Sequence, residues 1–286
     1  MARTATIDPA ELAALQAAHP RLFRRSAAER ARSWGAWIGL LALFGFGLWW
    51  IDASPARIWG GLSKLGFMIG LMLPPSDGGA LWDFAYALLE TLAMAFLGTL
   101  LAVVAAVPLG FLGARNIVPN WIFHFSLRRL FDGFRGVDTL VWALIFVSAV
   151  GMGPFAGILA IAFSDMAVLA KLYAEAIEGA DRRPVEGVRA AGANGLQSLR
   201  LAVLPQVLPL MLSHALYFFE SNTRSAAILG IVGAGGIGLQ LSDRIRINNW
   251  DEVLFIVLMI LATVAAIDAA SRRIRMAIIR PPARRG

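Results

Sequence analysis

Cysteine is absent from this 286-residue chain, which rules out disulfides, thiolate metal sites and cysteine nucleophiles. Lysine is almost absent: of 26 basic residues only Lys64 and Lys171 are not arginine. Neither lysine follows a glycine, so there is no G-x4-G-K-[ST] phosphate loop. The chain is therefore not expected to hydrolyse ATP by itself. Histidine is confined to His19, His124 and His214, too far apart for metal-ligand spacing and best read as surface or packing residues. Charge is also scarce, at 16% of residues, where soluble domains carry about a quarter.

Apolar residues are what the chain has in excess. They make up 58% of it, and the mean hydropathy is +0.67. A membrane protein follows. The net charge of +7 then points to arginine-rich loops on one membrane face rather than to nucleic acid. No cleavable signal peptide is expected, because residues 1–33 are polar and arginine-bearing before any apolar run begins.

Residues 1–33 read as an arm with a short surface helix, capped by Asp8 and Pro9 with Glu11 three residues on. The run 34–51 is uncharged, long enough to cross about 30 Å, and has Trp34, Trp37, Trp49 and Trp50 at its ends. Residues 52–83 follow, with an apolar stretch at 58–73 that is short for a span and reads as interfacial or re-entrant. Further spans are expected at about 84–112, 137–150, 155–173, 205–219 and 253–270. A basic amphipathic segment lies at 113–136, and a basic tail at 276–286. The arm, the 113–136 and 174–204 loops and everything after residue 270 hold 20 arginines, against five basic residues on the other side: Arg57, Lys64, Arg224, Arg244 and Arg246. That asymmetry places both termini in the cytoplasm, in agreement with six spans.

The loop 174–204 carries the most specific pattern. Asp181 can cap a helix with Pro184 in its first turn, and Glu186 lies near its positive end. Gly192 is a natural stop, Gly195 permits a second bend, and a second helix runs from about Leu196 to Pro205. The result is a helix-turn-helix outside the bilayer, able to pass a push from another protein to the spans. Glu186, Gly192 six residues later, and Leu204-Pro205 after eleven more resemble the EAA loop of ABC importer permeases, E-A-A-x3-G-x9-I-x-L-P. Gly187 and Val188 replace the two alanines of that pattern, and Ala202 its isoleucine. The stretches 88–116, 135–163 and 222–238 resemble phosphonate importer permeases and their phosphite- and phosphate-importing kin. The resemblance covers about 84–275, a permease core of type I ABC importer fold.

The resemblance implies an all-α integral protein of the bacterial inner membrane, with about six transmembrane helices and no cofactor of its own. It implies a homodimer with two ABC ATPase subunits, which use ATP and magnesium, and a periplasmic substrate-binding protein. Membrane lipid would surround it, and nucleic acid would not be a partner. Phosphonate, phosphite and phosphate remain open as substrates. An ion-gradient-driven anion transporter and a membrane-embedded enzyme are the alternatives. The first would want paired acidic residues or an internal repeat, and the second a polar catalytic cluster.

The stretch "ILGIVGAGGIG" (228–238) matches the dinucleotide spacing G-x-G-x-x-G at Gly233, Gly235 and Gly238. It lacks the strand–helix context and the acidic residue about twenty positions on. Together with Gly236, these glycines are expected to let the chain bend back and shape an outer gate, or only to let helices pack closely. At the outer end of the fifth span, Glu220 and Arg224 are spaced for an ion pair. Arg224 beside Asn222, Thr223 and Ser225 could instead receive a phosphonate oxyanion. Glu90 is expected near the outer interface. Asp165 has no side assigned.

Overall fold

The computed structural model describes residues 27–279, and the regular elements among them are all helices. The expected surface helix capped by Asp8, and the end of the basic tail, lie outside the described residues. One compact unit ends at Met68 and a second begins at Ile69. In the first, α1 (Ala27–Trp50) is uncharged over its last 18 residues and long enough to span a bilayer. A turn leads to α2 (Pro55–Leu71), whose last residues cross into the second unit. At 17 residues α2 is about 25 Å long, short for a span, and none of its residues is buried.

The second unit is a bundle. Its axis is α3 (Leu81–Gly113), 33 residues and about 50 Å long. Beside it runs α6 (Pro154–Glu178), in the same direction. Small residues let the two approach closely, as membrane helices require when lipid offers no hydrophobic drive between them. Ala95, Ala102 and Ala106 of α3 and Ala160, Ala167 and Ala170 of α6 are buried. A Cβ on Gly98 or Gly110 would stand 2.7 Å from Ile161 or Tyr173.

The sequence reading makes 113–136 a loop and 137–150 a span. The structure instead shows a broken pair, α4 (Trp121–Arg135) and α5 (Thr139–Val150), bent by 82°. Twelve residues span only about 18 Å, so α5 crosses a bilayer only together with α4. The charges of α4 are tolerated because α6 answers them. Arg128 meets Glu178 at 3.0 Å and Asp132 meets Lys171 at 2.9 Å.

After α6 come α7 (Arg182–Ala190) and the single turn α8 (Gly195–Ser198). A π-helical segment, Leu199–Val203, joins α8 to α9 (Leu204–Leu229). A 3-10 turn, Gly230–Val232, leads to α10 (Gly236–Arg246), and α11 (Trp250–Ile279) completes the bundle. Among the described residues, five helices are long and apolar enough to cross a membrane, or six with the bent pair. Near the middle of the bundle one polar knot joins three helices. Asn222 of α9 donates to Thr99 of α3 at 2.9 Å and to Asp165 of α6 at 2.5 Å, and all three are buried. Asp165 thus faces other helices.

Candidate functional site

At one end of the bundle the 174–204 segment forms a hairpin fixed at each corner. The Asp181 carboxylate accepts from the Arg183 N–H at 3.1 Å, capping α7. The helix stops at Gly192, whose φ of +89° suits glycine. The N–H groups of Gly192 and Ala193 donate to the carbonyls of Arg189 and Val188, the paired bonds of a Schellman stop. Asn194 and Gln197 then close a capping box on α8. Glu186 stands exposed on α7, and Leu204-Pro205 opens α9.

Gln206 ties the hairpin to α9. Its carbonyl accepts from the Asp181 N–H at 2.9 Å, and its amide donates to the Asp181 and Ala202 carbonyls at 3.3 and 2.8 Å. The start of α7 and the first turn of a spanning helix are therefore one hydrogen-bonded body. The motif spacing does not single out Gln206, although a lone amide in the first turn of an apolar helix was a visible signal.

At the opposite end the glycine stretch makes a tight reversal. The Gly233 carbonyl accepts from the Gly153 N–H at 3.0 Å, joining the turn to the start of α6. The Ile237 N–H donates to the Thr91 hydroxyl at 2.8 Å, joining α10 to α3. Gly238 packs against the Ala227 carbonyl and the Gly230 Cα, where no side chain would fit. Gly235 has φ +80°, and a Cβ there would lie 3.0 Å from the Glu90 carboxylate and 3.3 Å from Pro154. Gly233, Gly235 and Gly236 line a cavity of about 410 Å³ with Glu90, Asp83 and Met152. Beyond it, Arg244 pairs with Glu252 at 2.5 Å and stacks over Phe84.

The charged residues of α9 depart from expectation. α9 continues ten residues past Phe219, so Glu220 and Arg224 lie within the bundle and not at a span's outer end. They are about 24 and 30 Å along the helix from Leu204. They do not pair with each other. Glu220 accepts from Arg275 at 2.7 Å, and Arg224 lies 3.3 Å from Asp268. Both partners belong to α11, which faces α9, and a cross-helix partner outcompeted the neighbour on the same helix. Nothing in the spacing singles out Asp268 or Arg275, though both are charges in or beside an apolar run.

Nor do the four residues 222–225 surround one point. Successive helical positions do not share a face. Asn222 is taken by Asp165 and Thr99, Thr223 donates to the Phe219 carbonyl, and Ser225 to that of Ser221. Arg224 alone remains half-exposed.

These features have counterparts in known proteins. The pattern of the family described as "Binding-protein-dependent transport system inner membrane component" matches residues 106–280. This chain belongs to that family. A putative phosphite transport system permease protein of Stutzerimonas stutzeri is 36% identical over 259 residues, 90% of each chain. A phosphite transport system permease protein of the same organism is 40% identical over 236 residues, 82% of this chain and 84% of that one. Among solved structures, an inward-facing form of the MetNI methionine ABC transporter has a chain with the same fold. The TM-score is 0.62 at 25% identity, covering 72% of this chain and 100% of that one.

The fold is thus that of type I ABC importer permeases, and the chain is a multi-pass inner-membrane transport subunit. Membership implies an ATPase and a substrate-binding protein as partners. The hairpin tied by Gln206 lies within the matched residues, and α1 and α2 lie before them.

Proposed function

We propose that this chain is the permease of an ATP-driven importer for a small phosphorus oxyanion, phosphite or a phosphonate. The hairpin is the observation that carries the reading. It is a rigid, exposed lever whose base is hydrogen-bonded to α9 through Asp181 and Gln206. Two copies of the chain would enclose one path, with an ATPase subunit on each hairpin. ATP and magnesium belong to those subunits, and this chain needs no cofactor. The hairpin end faces the cytoplasm, since the arginine-rich segments lie on that side. With Arg224 inside the bundle, the glycine-turn side of the bundle keeps only Arg244 and Arg246. The glycine turn at the opposite end serves as the outer gate, next to the docked binding protein.

Charges at membrane depth are costly and usually face a partner or a water-filled path. The half-exposed Arg224 is therefore placed on the path, where its guanidinium can meet a passing oxyanion while Asp268 holds it. The substrate class rests on the two phosphite relatives. Labelled phosphite and methylphosphonate uptake, in cells with and without the chain, tests it. Chain-dependent uptake that resists excess phosphate is expected. Uptake erased by phosphate would move the substrate to phosphate.

A further inference from the structure

A second cavity, of about 570 Å³, lies behind the hairpin. One wall is the linker after α3, with Arg115 and Asn116. The other is the hairpin itself, with Arg182, Glu186 and Arg189 on α7 and Ser198 on α8. Among the described residues, none of the three guanidinium groups is in an ion pair. Of the two carboxylates that reach the cavity, Glu178 is already engaged by Arg128 and by the Arg115 N–H at 2.8 Å. Glu186 alone offsets three cations.

Ser198 supplies the independent observation. It is only 2% exposed, lines this cavity, and its hydroxyl has no hydrogen-bond partner among the described residues. A buried hydroxyl left unpaired is costly. A ligand with acceptor oxygens would satisfy it and the three guanidinium groups together, because the guanidinium fork matches a tetrahedral oxyanion.

We propose that this cavity binds a phosphorus oxyanion from the ATPase-facing side, and that the bound anion restrains the hairpin. An anion held between Arg115 on the linker and Arg182 and Arg189 on α7 bridges a wall fixed to the bundle and a wall that must move with the ATPase. The consequence is feedback: accumulated product slows its own import. This rests on the coupling role of the hairpin proposed above.

The test uses the complete transporter in phosphatidylcholine liposomes, ATPase subunits outward, with binding protein and substrate enclosed. Inorganic phosphite added outside then reaches only the hairpin end. Phosphite is expected to inhibit the binding-protein-stimulated ATPase. Arg115→Gln should raise the half-inhibitory concentration about tenfold with the rate at zero phosphite unchanged, and Ser198→Ala should raise it about threefold. If liposomes containing phosphatidylglycerol are inhibited without phosphite, and Arg115→Gln relieves it, the same site takes a lipid phosphate. An insensitive wild type, or an unchanged half-inhibitory concentration in either variant, overturns the site. Loss of the stimulation itself would instead count against the transport reading.

Discussion

At the scale of single residues, neighbouring glycines do different work. Gly238 is a packing residue: its Cβ position is occupied by the Ala227 carbonyl and the Gly230 Cα. Gly238→Ala should cost about 3 kcal/mol by overpacking and show as a lower thermal midpoint of the purified complex. Gly235 faces the cavity beside Glu90 and Pro154. Gly235→Val should abolish uptake while the complex still assembles, and normal uptake would remove the gating role. Arg224 calls for a paired test, since Arg224→Gln alone strands Asp268. The double variant Arg224→Gln/Asp268→Asn keeps a neutral pair. If Arg224 meets the substrate, the double variant should fold yet transport poorly. If uptake and substrate preference return to wild type, Arg224 is only structural.

At the scale of elements, the hairpin owes its stiffness to its caps. Gly192→Ala puts a side chain at φ +89°, a cost of roughly 1 kcal/mol. It should reduce uptake modestly. Gln206→Ala removes the hydrogen bonds between α7 and α9 without touching the exposed surface of α7. Binding of the ATPase should survive while transport per ATP hydrolysed falls several-fold. An unchanged ratio would mean that force reaches α9 by another route. The hairpin was legible in the sequence because caps and stops are local: Asp181, Pro184, Gly192 and Gly195 act within a few residues of themselves. The α4–α5 break was not, because Arg128 and Asp132 are stabilised by Glu178 and Lys171, about 40 to 50 residues away.

At the scale of the whole molecule, one copy offers one hairpin and one set of α9–α11 charges. A path between two copies predicts an assembly of two permeases with two ATPase subunits. Native mass spectrometry of the complex purified through this chain checks it; a single permease per complex would refute the paired arrangement.

By itself, the sequence determined the solvent, the class and the hairpin. Apolar runs about 20 residues long fit a bilayer whatever their neighbours are. Arginine counts and helix caps likewise need no tertiary contact. The motif Glu186, Gly192 and Leu204-Pro205 was readable for the same reason. Only the tertiary structure decided where polar side chains spend their hydrogen bonds. Glu220 and Arg224 sit four residues apart, the spacing of an ion pair, yet each is held by α11. Asn222 looked available beside Arg224 and is instead bound to Asp165 and Thr99. In a membrane every buried charge and amide must find a partner, and which partner it finds is set by which helices the packing brings face to face.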